Sequence, residues 1–492
     1  MKDETADSYS HVLKYTGLFG GVQGLNMLIG LVRNKLVALL LGPSGMGLAS
    51  LFNTAVNFIS QATNMGISFS AVRHVSELFD EGDEVRIDHF IKVVRTWSLL
   101  TALLGFMMCV AVGPFLDYFS FSWGNHTLHF VLLAPAIFLL AVAGGETAIL
   151  KGVRRLKELA LIQVYNVFAA LLIAVPVYYF FGESGIVPVI VLTGFVSLLL
   201  TIHYSYRIYP LRLRGAKGFL GEGMDMVKLG TSFTLAGVVG SASEMLIRSF
   251  LNVQGSLADV GLYNVGYMIT VGYAGLVFTA MEADYYPRLS AVSDDVVATN
   301  LTVNRQMEVS LLLLAPMLAV LIMMLPLLIP MLFSNEFIAV VPMTQVAVLA
   351  MYLKAMTLPV AYITLARGYS MSFLLLETSY FVVLVALVII GYLQWGLLGT
   401  GMAILGAHVF DYFMINGYAY WKYSYRCTAV LMRYAGVQTF LGIAAFTASC
   451  LVEGWGYWIT ETALVLTSTA YSLHILRKKT HLWESLKRRF RI

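Results

Sequence analysis

Fourteen apolar runs divide this chain, and their lengths constrain the fold more than any other feature of the sequence. A helix needs about 20 predominantly apolar residues to cross a bilayer. The runs lie at roughly 14–41, 47–72, 92–117, 127–150, 159–182, 185–207, 226–252, 259–287, 306–333, 339–365, 372–393, 396–421, 432–452 and 455–476. Several exceed the minimum, which leaves room for tilt. Proline at 316, 326, 342 and 359 predicts kinks in two of them. The composition agrees: 59% of residues are hydrophobic and 12% charged, about half the charge density of a soluble domain. No connection is long enough to fold by itself. The expected class is an all-α polytopic membrane protein with about 14 transmembrane helices.

The short connections carry the orientation. All but four of the 32 Lys and Arg fall at the amino terminus, in alternate connections or in the tail. The intervening connections hold Asp117, Glu183, Asp259, Glu336 and Glu453, with no Lys or Arg. Positive charge is retained on the cytoplasmic side, so both termini are expected there and the helix number is even. No cleavable leader is expected, because Met1 to Ser10 is polar and partly acidic. In the tail, Trp483, Leu486 and Phe490 stand at near-helical spacing among basic residues. That pattern suits either a helix on the anionic leaflet or a solvated tail.

An internal repeat is visible. Gly47–Leu48, opening the second run, recurs as Gly261–Leu262, opening the eighth, and Arg73 recurs as Arg288 at nearly the same offset. Two pseudo-symmetric six-helix bundles follow, 1–210 and 211–425, with two extra helices over 426–476 and a basic cytoplasmic tail over 477–492. Halves repeated in the same orientation pack about an axis along the membrane normal, with the site between them.

The four remaining cations, Arg33, Lys35, Arg248 and Lys354, stand within apolar runs, where a charge needs a compensating partner. Lys35 is near a helix end and can snorkel. Arg248 follows Glu244 by four residues, so the pair can neutralise itself. Arg33 has no acid within four residues, and Lys354 comes mid-run. Guanidinium binds phosphate bidentately, so Arg33 and Arg248 at near-equivalent points of the repeat suit an anionic ligand. In the second run Asn53, Asn57, Gln61, Asn64 and Ser68 step by three or four and share a helix face. A strip of amides does not face lipid cheaply, so it faces either a wet cavity or another helix. Amides and aromatic rings, such as Tyr263 and Tyr267, also suit sugar hydroxyls and rings. The intramembrane acids Glu244 and Asp284 and the pair His408/Asp411, at i,i+3, are candidates for ion or proton coupling; interfacial solvation accounts for the acids equally well.

Other classes lack their signatures. Cys109, Cys427 and Cys450 have no metal-ligand spacing. There is no G-x-x-x-x-G-K-[ST], so ATP hydrolysis by this chain is not expected, and nucleic-acid binding is not indicated by bases that border membrane segments. No catalytic site, metal or cofactor is expected, and the chain reads as a non-enzyme.

The exit of the first run, Leu41-Gly42-Pro43-Ser44-Gly45-Met46-Gly47-Leu48, and the end of the eighth, Asp284-Tyr285-Tyr286-Pro287-Arg288-Leu289-Ser290, carry a resemblance to lipid-linked oligosaccharide flippases of the O-antigen translocase type. Their superfamily also holds multidrug-and-toxin extruders and lipid II flippases. Many oligosaccharide flippases have twelve helices, and the extra pair looks more like the lipid II flippases. The resemblance implies a bacterial inner-membrane protein that moves an undecaprenyl-pyrophosphate-linked oligosaccharide to the periplasmic leaflet by alternating access. It implies membrane lipid and glycan polymerase or ligase machinery as partners. On that reading Arg33, Arg248 and Lys354 neutralise the pyrophosphate, while Asn53, Asn57, Gln61 and Asn64 meet the glycan. The alternative is a cation-coupled multidrug antiporter of the same fold, which calls for acids more than bases at cavity depth.

Overall fold

The computed structural model describes the backbone of residues 2–121, 126–211 and 219–479. It describes their side chains except at 2–21, 23, 68–69, 219–220, 222, 225–233, 273–274, 276, 279–280 and 282–284. The tail with Trp483, Leu486 and Phe490, and the connection with Arg212, Arg214 and Lys217, lie outside the described residues. So do the side chains of Gln23, Ser68 and the coupling candidate Asp284.

Among the described residues there is helix and turn but no strand. The elements are α1 (Lys2–Thr63), α2 (Ile67–Glu81), α3 (Glu84–Ser120), α4 (Thr127–Gly152), α5 (Leu156–Phe181), α6 (Ile186–Ile208), α7 (Phe219–Gln254), α8 (Leu257–Tyr267), α9 (Ala274–Ser290), α10 (Val296–Leu332), α11 (Val341–Ala366), α12 (Ser370–Tyr423), α13 (Ala429–Leu451) and α14 (Gly454–Lys479).

These elements do not map one to one onto the apolar runs. α12 contains two runs, and α1 contains the first run and most of the second, which ends at Thr63 and resumes in α2; α1 and α12 each leave helical geometry once. The break in α1 is at Gly42 (φ 63°), just before Pro43, and that in α12 is at Trp395–Gly396 (Gly396 φ 57°). Positive φ costs glycine nothing, and Pro43 has no N–H to bond back across the break. The run at 259–287 comes as α8, a π-helical turn over Met268–Tyr273, and α9. Where proline predicts kinks, α10 and α11 run on without interruption through Pro316, Pro326 and Pro359. Pro342 lies in the first turn of α11, where a missing N–H loses no helical bond. Among the described residues, eight helical stretches are long and apolar enough to cross a membrane. Two of them, Leu156–Ile208 and Ser370–Tyr423, have 53 and 54 residues, more than twice one crossing. The chain is an all-α multi-pass membrane protein.

Its contacts group into two compact units. The first is Met1–Gly261 with Leu332–Ser334, and the second is Leu262–Met331 with Asn335–Ile492. This grouping records which elements pack together, so α7 joins the first unit although the repeat assigns it to the second half.

In the first unit, Ile67, Val75, Ile87, Ile91, Val94, Trp97 and Ile149 form a buried cluster joining α2, α3 and α4. A close backbone-to-backbone approach joins α1 and α8. A Cβ on Gly47 would fall on the carbonyl of Leu257, and a Cβ on Gly261 would fall on the carbonyl of Pro43. The two glycines of the sequence repeat thus meet in one reciprocal backbone crossing. Side chains are excluded there on both helices, which lets Cα–H groups approach carbonyls directly.

In the second unit α11 is the most enclosed span, with 78% of its apolar window buried. Tyr352 donates from α11 to Ala315 O of α10 at 3.0 Å, and Tyr285 of α9 donates to Pro359 O of α11 at 2.7 Å. α13 and α14 are tied on by polar contacts: Gln438 Nε2 donates to Ser472 Oγ (2.8 Å), Ser449 Oγ to Gln345 Oε1 (3.2 Å) and Tyr457 to Met323 O (2.7 Å). Lipid supplies no hydrophobic drive between helices, so such bonds and close packing hold them together.

Candidate functional site

In the first unit a polar seam runs between α1 and α7. Asn53, Asn57 and Gln61 are exposed on α1 beyond its break, whereas Leu51, Phe52, Ala55, Val56 and Ile59 on the opposite face are buried. Asn53 Nδ2 bonds its own helix at Ala49 O (2.7 Å), which leaves its carbonyl oxygen available. The single helix face expected for the strip stops at Gln61: α1 ends at Thr63, Asn64 lies half-buried in the turn that follows, where Met65 and Gly66 take positive φ, and Ser68 belongs to α2. α7 lies alongside: a Cβ at Gly237 would stand 3.3 Å from Gln61 Oε1. Eleven residues further along α7, and eleven back along α1, Arg248 Nε donates to Ser50 Oγ at 2.9 Å. Equal steps in opposite directions mean the helices run antiparallel along this seam. Ser50 precedes Asn53 by three residues, so the arginine is docked at one end of the amide strip.

Arg248 is only 4% exposed, and its Nη1 pairs with Glu244 Oε2 at 3.2 Å. Glu244 keeps 37% of its side chain exposed. The cation is therefore buried and held while its acid partner reaches the open side of the seam. Below them Asn252 Nδ2 donates to Ser120 O (2.7 Å), and Ser120 and Ser249 hydroxyls are 2.8 Å apart, which fixes α7 against α3.

In the second unit a second charged group forms around Lys354 of α11. Glu377, His408 and Asp411, all from α12, lie within electrostatic reach of its ammonium. The Thr357 hydroxyl donates back to Lys354 O of its own helix at 3.4 Å. Lys354 Nζ stands 5.7 Å from the centre of the Phe278 ring, a cation–π distance. His408 Nδ1 is 2.9 Å from Ile404 O; a carbonyl only accepts, so this nitrogen carries the proton. The Tyr380 ring packs edge-on to His408 with centres 5.2 Å apart. The break at Trp395–Gly396 makes this possible: it folds α12 so that Glu377 before it and His408 and Asp411 after it come within electrostatic reach of one lysine.

The candidates thus gather into two groups, the seam in the first unit and the Lys354 cluster in the second. Arg33 is half-buried in α1 before its break and lies within electrostatic reach of Tyr178 of α5. Lys35 is half-buried and has interactions of its own.

Sequence reasoning missed a third buried pair. Arg95, which the sequence assigns to a connection, lies a full three turns inside α3, and its Nε meets Glu146 Oε1 of α4 at 2.8 Å. Ser205 donates to the other carboxylate oxygen at 2.6 Å, Arg95 Nη2 donates to Tyr209 O at 2.8 Å, and the guanidinium covers the Tyr206 ring at 4.5 Å. The signal available was that Arg95 stands just within the apolar run beginning at 92. Glu377 was also left unassigned, because only the fold of α12 brings it within reach of Lys354.

The family model described as "Polysaccharide biosynthesis protein" matches residues 36–342, more than half of the chain. The chain belongs to that family. It is similar to the lipid III flippase of Escherichia coli (strain K12), with 24% identity over 403 residues covering 77% of this chain and 91% of the relative. The lipid III flippase of Shigella flexneri matches to the same extent. Among solved structures, an inward-facing multidrug resistance MATE family transporter of the MOP superfamily aligns with a TM-score of 0.70 at 15% identity, over 83% of this chain and 96% of that one. Lipid II flippase MurJ in an inward closed conformation aligns with a TM-score of 0.68 at 12% identity, over 94% and 99%. At such identities these likenesses show the fold, which extruders and flippases share.

Proposed function

We propose that this chain is a flippase for a lipid-linked oligosaccharide, carrying an undecaprenyl-pyrophosphate-linked glycan unit, O-antigen or a related surface glycan, from the cytoplasmic to the periplasmic leaflet. The observation that carries the reading is the seam itself: a buried arginine docked at the end of a strip of exposed amides. A pyrophosphate needs the first and a hydroxyl-rich glycan the second. The similarity to lipid III flippases points to the same cargo class. On this reading the protein makes fourteen crossings of a bacterial inner membrane with both termini cytoplasmic, the repeat halves 1–210 and 211–425 alternate access, and the prenyl tail stays in lipid. Glycan polymerase or ligase machinery would receive the cargo.

Both cation groups carry their own acids, which suggests how release is coupled. Without cargo, Arg248 is neutralised by Glu244, and Lys354 is balanced by Glu377 and Asp411. An arriving pyrophosphate competes with these carboxylates, and a proton taken up by Glu244 or Asp411 frees the cation for it. Arg33, which lacks a carboxylate partner among the described residues, makes first contact. Cargo and proton are then linked reciprocally, as any two ligands sharing one group must be. A multidrug antiporter shares the fold, but three cations near the candidate groups suit an anionic cargo better than a cationic drug.

The test is surface-glycan export in a deletion strain complemented with Arg33→Glu, Lys354→Glu or the strip variant Asn57→Leu/Gln61→Leu. Each is expected to abolish or sharply reduce export while the protein stays at its normal level in the membrane. Normal export by all three, or drug hypersensitivity of the deletion strain with intact surface glycan, would overturn the proposal.

A further inference from the structure

A second basic group lies away from both candidate groups, where the turn between α11 and α12 meets the end of α12. Lys422 Nζ donates to Tyr418 Oη (2.8 Å) and to Ser372 Oγ (3.1 Å), and Tyr418 in turn donates to Ser372 at 2.7 Å. The ammonium stands 4.1 Å from the centre of the Tyr369 ring, 5.3 Å from Tyr418 and 5.9 Å from Tyr423. Every one of these partners is neutral. The Arg367 guanidinium lies 5.1 Å from the centre of the same Tyr423 ring, and its buried Nε–H meets no acceptor among the described residues. Neither cation has a carboxylate within ion-pair distance among the described residues. Two positive charges are therefore positioned about one tyrosine and left uncompensated.

The scaffold under them is fixed. Arg367 caps α11 through a tight turn in which Gly368 has φ 75° and Tyr369 N bonds Thr364 O at 2.9 Å. After Tyr423 the chain is held by α10: Asn300 Oδ1 accepts from Arg426 N (2.7 Å), and Asn304 Oδ1 accepts from Thr428 N (3.0 Å). The depth is also marked. Tyr420 and Trp421, on the same last turns of α12, are exposed, Trp421 by 79%. Exposed Trp and Tyr at the end of a membrane helix sit at headgroup level. An anion meeting both cations there is at the depth of lipid phosphates, and aromatic walls suit the glycerol and upper acyl region beside it.

We propose that Arg367 and Lys422, walled by Tyr369, Tyr418 and Tyr423, form a binding site for the phosphate of an anionic phospholipid headgroup. The site lies on the side that carries the basic connections, and it does not depend on what the protein transports. A cation near a lipid surface typically contributes about a fivefold preference for an anionic lipid.

The experiment uses the purified full-length chain in detergent, with lipid added and bound lipid counted by native mass spectrometry. Phosphatidylglycerol is the probe, phosphatidylcholine the zwitterionic control with the same phosphodiester, and inorganic phosphate the free-ion control. Wild type is expected to retain phosphatidylglycerol over phosphatidylcholine, with inorganic phosphate failing to displace it. Arg367→Gln/Lys422→Gln should lower that preference by about 25-fold, and Lys422→Arg should keep most of it. Thermal denaturation of each variant without lipid checks that the fold survives; should the double variant melt early, Lys422→Gln alone is expected to lower the preference about fivefold. Equal retention of phosphatidylglycerol by wild type and Lys422→Gln would overturn the proposal, as would displacement by inorganic phosphate at millimolar concentration.

Discussion

The reciprocal glycine crossing of α1 and α8 predicts the effect of one methyl group. In Gly47→Ala the new Cβ would sit inside the contact radius of Leu257 O, 2.9 Å from Leu257 C and 3.0 Å from Gly261 N. Carbon atoms rest at about 3.5–4.0 Å, so the helices must part by roughly 1 Å at the crossing. The atoms in the way are backbone on both sides, so no rotamer change relieves the clash. Overpacking of this kind costs about 1–3 kcal/mol, which moves a two-state equilibrium about 5- to 150-fold toward the parted arrangement. Alanine also gains about 1 kcal/mol of helix propensity over glycine. That gain is cancelled by comparison with Gly24→Ala in the same helix, where an added Cβ meets nothing within 4 Å. The assay is hydrogen–deuterium exchange in nanodiscs, followed in peptides covering 43–51 and 256–263, together with thermal denaturation. Gly47→Ala should exchange faster in both peptides and melt earlier than Gly24→Ala. Identical exchange and melting of the two variants would refute the argument that backbone contact at Gly47 holds the crossing shut.

Two further outcomes follow from buried charges. Arg95→Ala strands Glu146, which is 2% exposed, with Ser205 as its remaining hydrogen-bond donor, and should cost about 3–5 kcal/mol. Replacing both partners, as Arg95→Met/Glu146→Leu, should recover much of that in thermal denaturation; a double variant no better than the single one would contradict the pairing. Glu461 of α14 is fully buried, yet neither carboxyl oxygen has a hydrogen-bond partner among the described residues, because its neighbours Tyr352 and Tyr457 donate to Ala315 O and Met323 O instead. Glu461→Leu should therefore raise thermal stability, by about 1–3 kcal/mol, and a lower melting temperature would show that the carboxyl is engaged in the folded protein.

The membrane character of this chain and its all-helical class could be read from the sequence because they depend on one-dimensional quantities. A bilayer sets the length of an apolar run, and hydrogen bonding leaves the helix as the means of satisfying its backbone. The face shared by Asn53, Asn57 and Gln61 was legible for a similar reason: helical spacing within one segment is local, and all three are exposed on one side of α1. The pairing of Arg248 with Glu244, four residues apart, was equally within reach. The tertiary structure decided which distant groups meet. Arg248 rests on Ser50, nearly 200 residues earlier in the chain; Glu377 and Asp411 reach Lys354 because α12 breaks at Trp395–Gly396; Arg95 turns inward to Glu146. Repeat glycines identifiable in the sequence proved to touch, which no offset between them could convey. The reason is physical. Hydropathy and helical period fix a segment and its faces, whereas the partner of a buried charge is set by how helices cross, and those crossings depend on contacts between residues far apart in sequence.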